Sequence, residues 1–111
     1  MATFVQQGIS IDYTPTTAVA AGAVILQGDL IGVARTPIAA NALGSLAVAG
    51  VFDFPKATGA GSGIAVGATC YWDVADAVAK TDSETGANKV IGKCVKAAAD
   101  ADALVRIRLM Q

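Results

Sequence analysis

The segment GATCYWDV, Gly67 to Val74, places a cysteine, a tyrosine, the only tryptophan and an aspartate in adjacent positions. A thiol beside an acid could act as a nucleophile. Such a thiol needs a neighbouring base or a positive environment to become a thiolate, and the chain contains no histidine. Cys70 also alternates with Trp72 on one side of the segment. We therefore interpret Cys70 as a small buried core residue.

Other reactive combinations are incomplete. Cys70 and Cys94 stand far apart in a chain without histidine, which is a poor ligand set for zinc. The segment DSETGANK, 82–89, lacks the later acidic ligand of a calcium loop and is predicted to be a hairpin loop. Five residues separate Gly86 from Gly92, and Cys94 occupies the hydroxyl position, so the phosphate-loop pattern fails. The sequence thus predicts no enzyme activity, no metal site and no cofactor.

The remaining titratable residues have ordinary structural interpretations. Asp53 and Asp73 are predicted to lie on strand faces opposite the aromatic residues, either solvated or in salt bridges. The segment GAGSG, Gly59 to Gly63, belongs to a Gly-rich stretch predicted to be a mobile surface loop.

The start MATFVQQ lacks the features of a signal peptide, which predicts synthesis in a host cytoplasm. Two free thiols are then expected, with a cross-strand disulfide as the alternative.

Length and composition bound the class of protein. A chain of 111 residues suits one domain, 1–111. Hydrophobic residues make up 54% and charged residues 15%, which leaves apolar surface for another protein to cover.

The net charge is −1 and the eight basic residues are scattered from Arg35 to Arg108. This pattern disfavours a nucleic-acid partner and predicts binding that depends weakly on salt. No apolar stretch approaches the ~20 residues of a membrane span.

The strongest local signal is alternation of apolar and polar residues with period two, which is typical of half-buried strands. Turn residues interrupt the chain at short intervals, including Gly28-Asp29 between two apolar runs. The sequence therefore predicts an all-β domain, a small barrel or sandwich with short helical turns at most. The predicted inward sets are Ile9, Ile11 and Tyr13; Leu46, Val48, Phe52 and Phe54; Cys70, Trp72 and Val74; and Val105, Ile107 and Leu109.

Five segments in order give the chain a recognisable profile. They are QQGISIDYT (6–14), AAGAVILQGDLIGVA (20–34), GSLAVAGVFDFPKATG (44–59), VGATCYWD (66–73) and KVIGKCVKAAADADALVRIRL (89–109). This order resembles the capsid cement, or head decoration, proteins of tailed bacteriophages and prophages. The resemblance covers essentially the whole chain, and GVFDFPKATG and YWD are its most specific parts.

The resemblance implies a structural virion protein on the exterior of a phage capsid. It implies binding to a major capsid protein of the phage-shell fold, and cementing of the shell by bridging such proteins. It also implies a homo-oligomer, with a trimer favoured and a dimer as the alternative. Competing hypotheses are a tail or spike component and, from another class, a small ligand-binding β-barrel.

Candidate contact residues lie at the start of the chain and in the segment around Cys70. Residues 1–7 suit an extended docking arm, although they could equally form the first strand of the domain's own sheet. Trp72 is a candidate either for the core or for a contact between subunits. The full candidate set for capsid or subunit contacts is Thr3, Phe4, Val5, Gln6, Gln7 and Trp72.

Overall fold

Short strands with period-two burial build the part of the chain that the structure, a computed structural model, describes: residues 2–3 and 8–111. In the last strand, for example, exposed and buried residues alternate at every position. The only helical element among the described residues is one 3₁₀ turn at Glu84–Gly86. The all-β prediction is confirmed. The strands are β1 (Ser10–Tyr13), β2 (Val24–Gln27), β3 (Leu30–Val33), β4 (Gly44–Ala47), β5 (Gly50–Pro55), β6 (Thr69–Asp73), β7 (Val78–Lys80), β8 (Lys89–Lys96) and β9 (Leu104–Leu109).

The described strands form two antiparallel sheets. The four-stranded sheet has the order β1-β4-β3-β2, and the five-stranded sheet has the order β5-β9-β8-β6-β7. The five-stranded sheet curls, because a single parallel bridge joins Lys56, just after β5, to Ala79 in β7. The predicted hairpin at Gly28-Asp29 is present between β2 and β3, and Gly28 has the positive φ of 60° that this tight turn requires.

The larger hydrophobic core lies between the two sheets. Ile31 and Val33 of β3 pack with the inner face of the five-stranded sheet, which contributes most of this cluster. Phe54 and Trp72 meet there with ring centroids 6.0 Å apart. A smaller cluster, built around Ala34, Ile38 and Leu46, fills the space beside the four-stranded sheet.

Two of the positions predicted to point inward are wrong, because period two was extended across strand ends. Ile9 precedes β1 and is 64% exposed, and Val74 follows β6 and is 55% exposed. The segment predicted as one alternating strand is divided into β4 and β5, which belong to different sheets. Leu46 consequently packs in the smaller cluster and Phe54 in the larger one.

The side chain of Gln111 joins the two sheets. Its Oε1 accepts the backbone N–H of Ile31 at 2.6 Å, and its Nε2 donates to the Ile31 carbonyl at 2.7 Å. The register between β3 and β4 includes only the pair Val33 and Ala47. The amide of Gln111 therefore satisfies two polar groups of a residue that is fully buried.

Candidate functional site

The segment around Cys70 is an interior strand of the five-stranded sheet, since β6 lies between β8 and β7. Cys70 is fully buried and Trp72 is 6% exposed. The core interpretation of Cys70 is confirmed. As a capsid or subunit contact, Trp72 has little surface to offer, because its ring packs against Phe54 inside this domain. The sequence alone does not distinguish a core role from a contact role for Trp72, because tryptophan is suited to both.

Both cysteines are buried free thiols. Burial, followed by the proximity of Cys94, raises the pKa of Cys70 to about 11. The Cys70 thiol therefore stays protonated at neutral pH, which is the reverse of what a nucleophile needs. Its Sγ donates instead to the Ala68 carbonyl at 3.6 Å, and the Cys94 Sγ donates to the Lys96 carbonyl at 3.1 Å.

Asp73, the acid of the same segment, is 4% exposed and forms an ion pair. Its carboxylate lies 2.7 Å from the Lys80 Nζ and accepts the Asp76 backbone N–H at 3.1 Å. The hydrogen bond from Lys80 is the main reason that the pKa of Asp73 falls to about 2. Asp53 is paired likewise, with Arg106 Nε at 2.9 Å. Both carboxylates are in salt bridges, one of the two arrangements that the sequence predicted, and Asp73 secures the β6–β7 hairpin.

The Asp73–Lys80 pair predicts a loss of stability in acid. The folded pKa of Asp73 lies near 2, below the ordinary value of 3.8, so the stabilisation is complete above pH ~4 and disappears as the pH falls toward 2. Thermal unfolding between pH 7 and pH 2 measures this decline. We expect Asp73→Asn and Lys80→Gln each to reduce the fall in Tm between pH 7 and pH 2, because each removes one partner of the ion pair. If the Tm of both variants falls as steeply at low pH as that of the parent chain, the Asp73–Lys80 pair is not the source of the acid sensitivity.

The Gly-rich segment 57–67 is fastened to the rest of the domain rather than extended as a loose loop. Gly63 donates its N–H to Asp100 Oδ1 at 2.7 Å. The Nζ of Lys56, a residue 4% exposed, donates to the Ala57 carbonyl at 2.6 Å, Ser62 Oγ at 3.3 Å and the Asp100 carbonyl at 3.4 Å. The buried ammonium thus ties two acceptors of the Gly-rich segment, on Ala57 and Ser62, to the Asp100 carbonyl in the connection between β8 and β9. This role has no signal in the sequence, because the acceptors are mostly backbone carbonyls.

Within residues 2–3 and 8–111, no three His, Cys, Asp or Glu side chains lie together as a metal site would require. No helix among the described residues is both long and apolar enough to span a bilayer. A surface groove of about 620 Å³ is bordered by Asp73, Val74 and the 3₁₀ turn. Its most buried acid, Asp73, is already paired with Lys80.

The outer face of the five-stranded sheet is the most distinctive surface of the described chain. The register places Lys93 opposite Arg108, and Lys96 opposite Arg106, on adjacent strands β8 and β9. All four side chains are exposed. They are half of the eight basic residues in the chain, and Asp53 on β5 is their nearest paired carboxylate. The alternation in LVRIRL indicated that the arginines point outward, but the pairing with β8 was not visible in the sequence.

Exposed aliphatic residues share this cationic face. Val51 lies opposite Arg108 on the other side of β9, and Leu104 lies opposite Pro55. Val90 lies opposite Tyr71 in β6, and Val95 is exposed at a bulge in β8. We call the whole surface the β8–β9 face; its members are Val51, Asp53, Pro55, Tyr71, Val90, Lys93, Val95, Lys96, Leu104, Arg106 and Arg108.

The described residues thus define an all-β domain whose polar interior groups are paired and whose broadest exposed sheet face mixes cations with aliphatic side chains. The family model described as phage cement protein matches residues 5–109, and the chain belongs to that family. The resemblance seen in the sequence is confirmed. Family membership indicates a structural role in a phage capsid and a location in the virion. No curated protein and no solved structure matches the chain.

The predicted docking arm falls largely outside the described structure. Thr3 is described and exposed. Phe4, Val5, Gln6 and Gln7 lie outside the described residues, so their role as contacts remains a prediction. A few positions later the chain enters β1, which begins at Ser10 and is an edge strand of the four-stranded sheet.

Proposed function

We propose that this protein binds the exterior of a phage capsid and stabilises the shell by bridging major capsid proteins. The observation that carries the proposal is the family match over residues 5–109, nearly the full chain of 111 residues. The fold is consistent with a passive role of this kind. Its thiols are buried, its acids Asp53 and Asp73 are held in ion pairs, and the Lys56 ammonium is hydrogen-bonded to oxygen acceptors.

Bridging works through several weak contacts made together. One subunit contacts capsid proteins over a modest area, and a symmetric cluster of subunits, a trimer in preference to a dimer, contacts several at once. Once one contact forms, the others become intramolecular, so the effective concentration raises the overall affinity by roughly 10²- to 10⁴-fold. Capsomers tied in this way resist separation under the outward pressure of packaged DNA.

Residues 1–7 are proposed to act as a docking arm. The chain leads from this segment directly into β1, at the edge of the four-stranded sheet. An extended segment at a sheet edge can add to the sheet of a neighbouring molecule through backbone hydrogen bonds. A chain that begins at Gly8 tests this role, because binding that is undiminished would assign the segment to the domain's own sheet.

The proposed function predicts a preference for the assembled shell over its isolated subunits. We expect the protein to bind undecorated capsids at least ~100-fold more tightly than unassembled major capsid protein, because only the lattice presents several sites to one cluster. Equilibrium binding of labelled protein to both forms, at one salt concentration, measures the ratio. Equal affinities would contradict bridging, and binding to tails or spikes in place of capsids would replace the proposal with another virion role.

A further inference from the structure

We propose that the β8–β9 face is the surface that docks on the shell, and that it takes an acidic protein surface, a patch of carboxylates with aliphatic neighbours on the major capsid protein. This inference rests on the proposed function and goes beyond it, because it names the face and the chemistry of its partner. The face lies on the five-stranded sheet, whereas residues 1–7 precede the four-stranded sheet.

Like charges on this face oppose each other within the free protein. Lys93 and Arg108 are directly opposite on neighbouring antiparallel strands, which is a destabilising arrangement for a sheet. Neither of them forms an ion pair among the described residues, and Lys93 donates instead to the Thr69 hydroxyl. The pairing of two cations therefore lowers the stability of the free domain, although the hydrogen bond from Lys93 to Thr69 offsets part of this loss. A partner that supplies carboxylates would pair with both cations.

The charge of the chain is strongly divided between this face and the remaining surface. Four cations and the carboxylate of Asp53 lie on the face, and Asp102 borders the same groove as Lys96 and Arg106. The other residues contain seven carboxylates and four cations. The net charge of −1 therefore hides a positive face on an otherwise negative protein. The weak salt dependence predicted from the sequence assumed a small net charge without a single-sign patch, whereas the folded chain has four cations on one sheet face. Pairing of β8 with β9 gathers cations that are separate in the sequence.

The apolar members of the face favour a protein partner over a nucleic acid. Nine large hydrophobic residues are exposed in the described chain, and four of them lie on this face: Val51, Val90, Val95 and Leu104. Arginine set among apolar side chains is typical of protein interfaces. A sheet that binds single-stranded nucleic acid uses several aromatic side chains for stacking, and Tyr71 is the aromatic residue on this face.

Arg106 and Arg108 differ in how available they are to a partner. Arg106 is engaged with Asp53 through two hydrogen bonds, of 2.9 Å and 3.3 Å, whereas Arg108 forms no ion pair among the described residues. Arg108 also stands at the centre of a row, with Val51 on one side and Lys93 on the other. We therefore infer that Arg108 and Lys93 are the principal cations of the docking surface.

The test compares two charge reversals on exposed residues. Arg108→Glu changes the face, and Arg35→Glu makes the same change of charge outside it. We expect Arg108→Glu to weaken binding to undecorated capsids by about tenfold or more, with Arg35→Glu close to the parent protein. Binding of the parent protein is expected to weaken as the NaCl concentration rises from about 50 to about 500 mM, and that dependence should be shallower for Arg108→Gln. Arg108→Gln should keep or raise the Tm, because it removes repulsion from Lys93.

Each other outcome has a distinct meaning. Capsid binding by Arg108→Glu and Arg108→Gln at the parent affinity would overturn the docking face while leaving the cement role intact. Failure of the parent protein itself to bind shells would overturn the proposed function and the face with it. Binding of single-stranded DNA that Arg108→Glu abolishes, with capsid binding retained, would replace the acidic protein surface by nucleic acid. A Tm lowered by Arg108→Gln would make Arg108 a structural residue and would also contradict the inference.

Discussion

Replacement of Gly92 with alanine is expected to destabilise the domain by about 3 kcal/mol or more, a large part of the ~5–15 kcal/mol that stabilises a typical domain. A Cβ at Gly92 would lie 1.9 Å from the carbonyl oxygen of Arg108 and 3.0 Å from the backbone N of Met110. Both obstacles are backbone atoms, so no side-chain rotation relieves the contact. The β8–β9 pairing would have to loosen where Gly92 meets Leu109 and Cys70.

Chemical denaturation of Gly92→Ala beside Gly8→Ala measures this effect. A Cβ at Gly8 meets no atom of the described residues within 4 Å, so the control variant is expected to stay within about 0.5 kcal/mol of the parent. Equal midpoints for the two variants would show that β8 and β9 are farther apart at Gly92 than the structure places them. Because Arg108 belongs to the β8–β9 face, a partly folded Gly92→Ala should also lose capsid binding.

Trp72→Ala is expected to cost roughly 3–5 kcal/mol, the usual range for loss of a buried large aromatic residue. Trp72 is 6% exposed and contacts Phe54 in the larger core cluster, so its removal leaves a cavity that small neighbouring side chains cannot fill. Tyr71→Ala is the matched control, since Tyr71 is the adjacent, more exposed aromatic of the same strand. A Tm unchanged in Trp72→Ala would place the indole at the surface, where it would be available as a capsid or subunit contact.

Local patterns in the sequence were sufficient for the strands and the tight turn. In β9, Val105, Ile107 and Leu109 are all buried and the residues between them are exposed, because each strand alternates independently of its partners. The Gly28-Asp29 turn was equally predictable, since a two-residue hairpin places its glycine at a fixed point between two apolar runs. The burial of Cys70 was also predictable, because a nucleophilic thiol needs a neighbouring base and the chain contains no histidine.

Features that depend on pairing between distant segments were not predictable. The alternation of Leu46, Phe52 and Phe54 is continuous in the sequence. The chain nevertheless passes from the four-stranded sheet to the five-stranded sheet between β4 and β5, and the alternation gives no sign of this passage. The opposition of Lys93 and Arg108 depends on the register of β8 against β9. That register includes one bulge in β8, between Cys94 and Lys96, where an extra residue shifts which side chains face outward.

The candidate site was therefore only partly visible in the sequence. The polar-apolar start of residues 1–7, which includes Thr3, suits an extended arm, and this role remains a prediction. The β8–β9 face has no counterpart along the chain, because its basic residues come together only across the sheet. The signal in the sequence is the spacing of Arg106 and Arg108, two positions apart in a strand-like run. That spacing by itself indicates only two side chains on the same outward face.

Release of DNA from heated particles tests the cement role most directly. Particles stripped of this protein, and stripped particles restored to full occupancy with purified protein, are heated in parallel while DNA release is followed with an intercalating dye. A ligand that prefers the intact shell stabilises it, so restored particles should release DNA several degrees higher than stripped ones. Release at the same temperature despite full occupancy would contradict cementing and leave this protein as surface decoration alone.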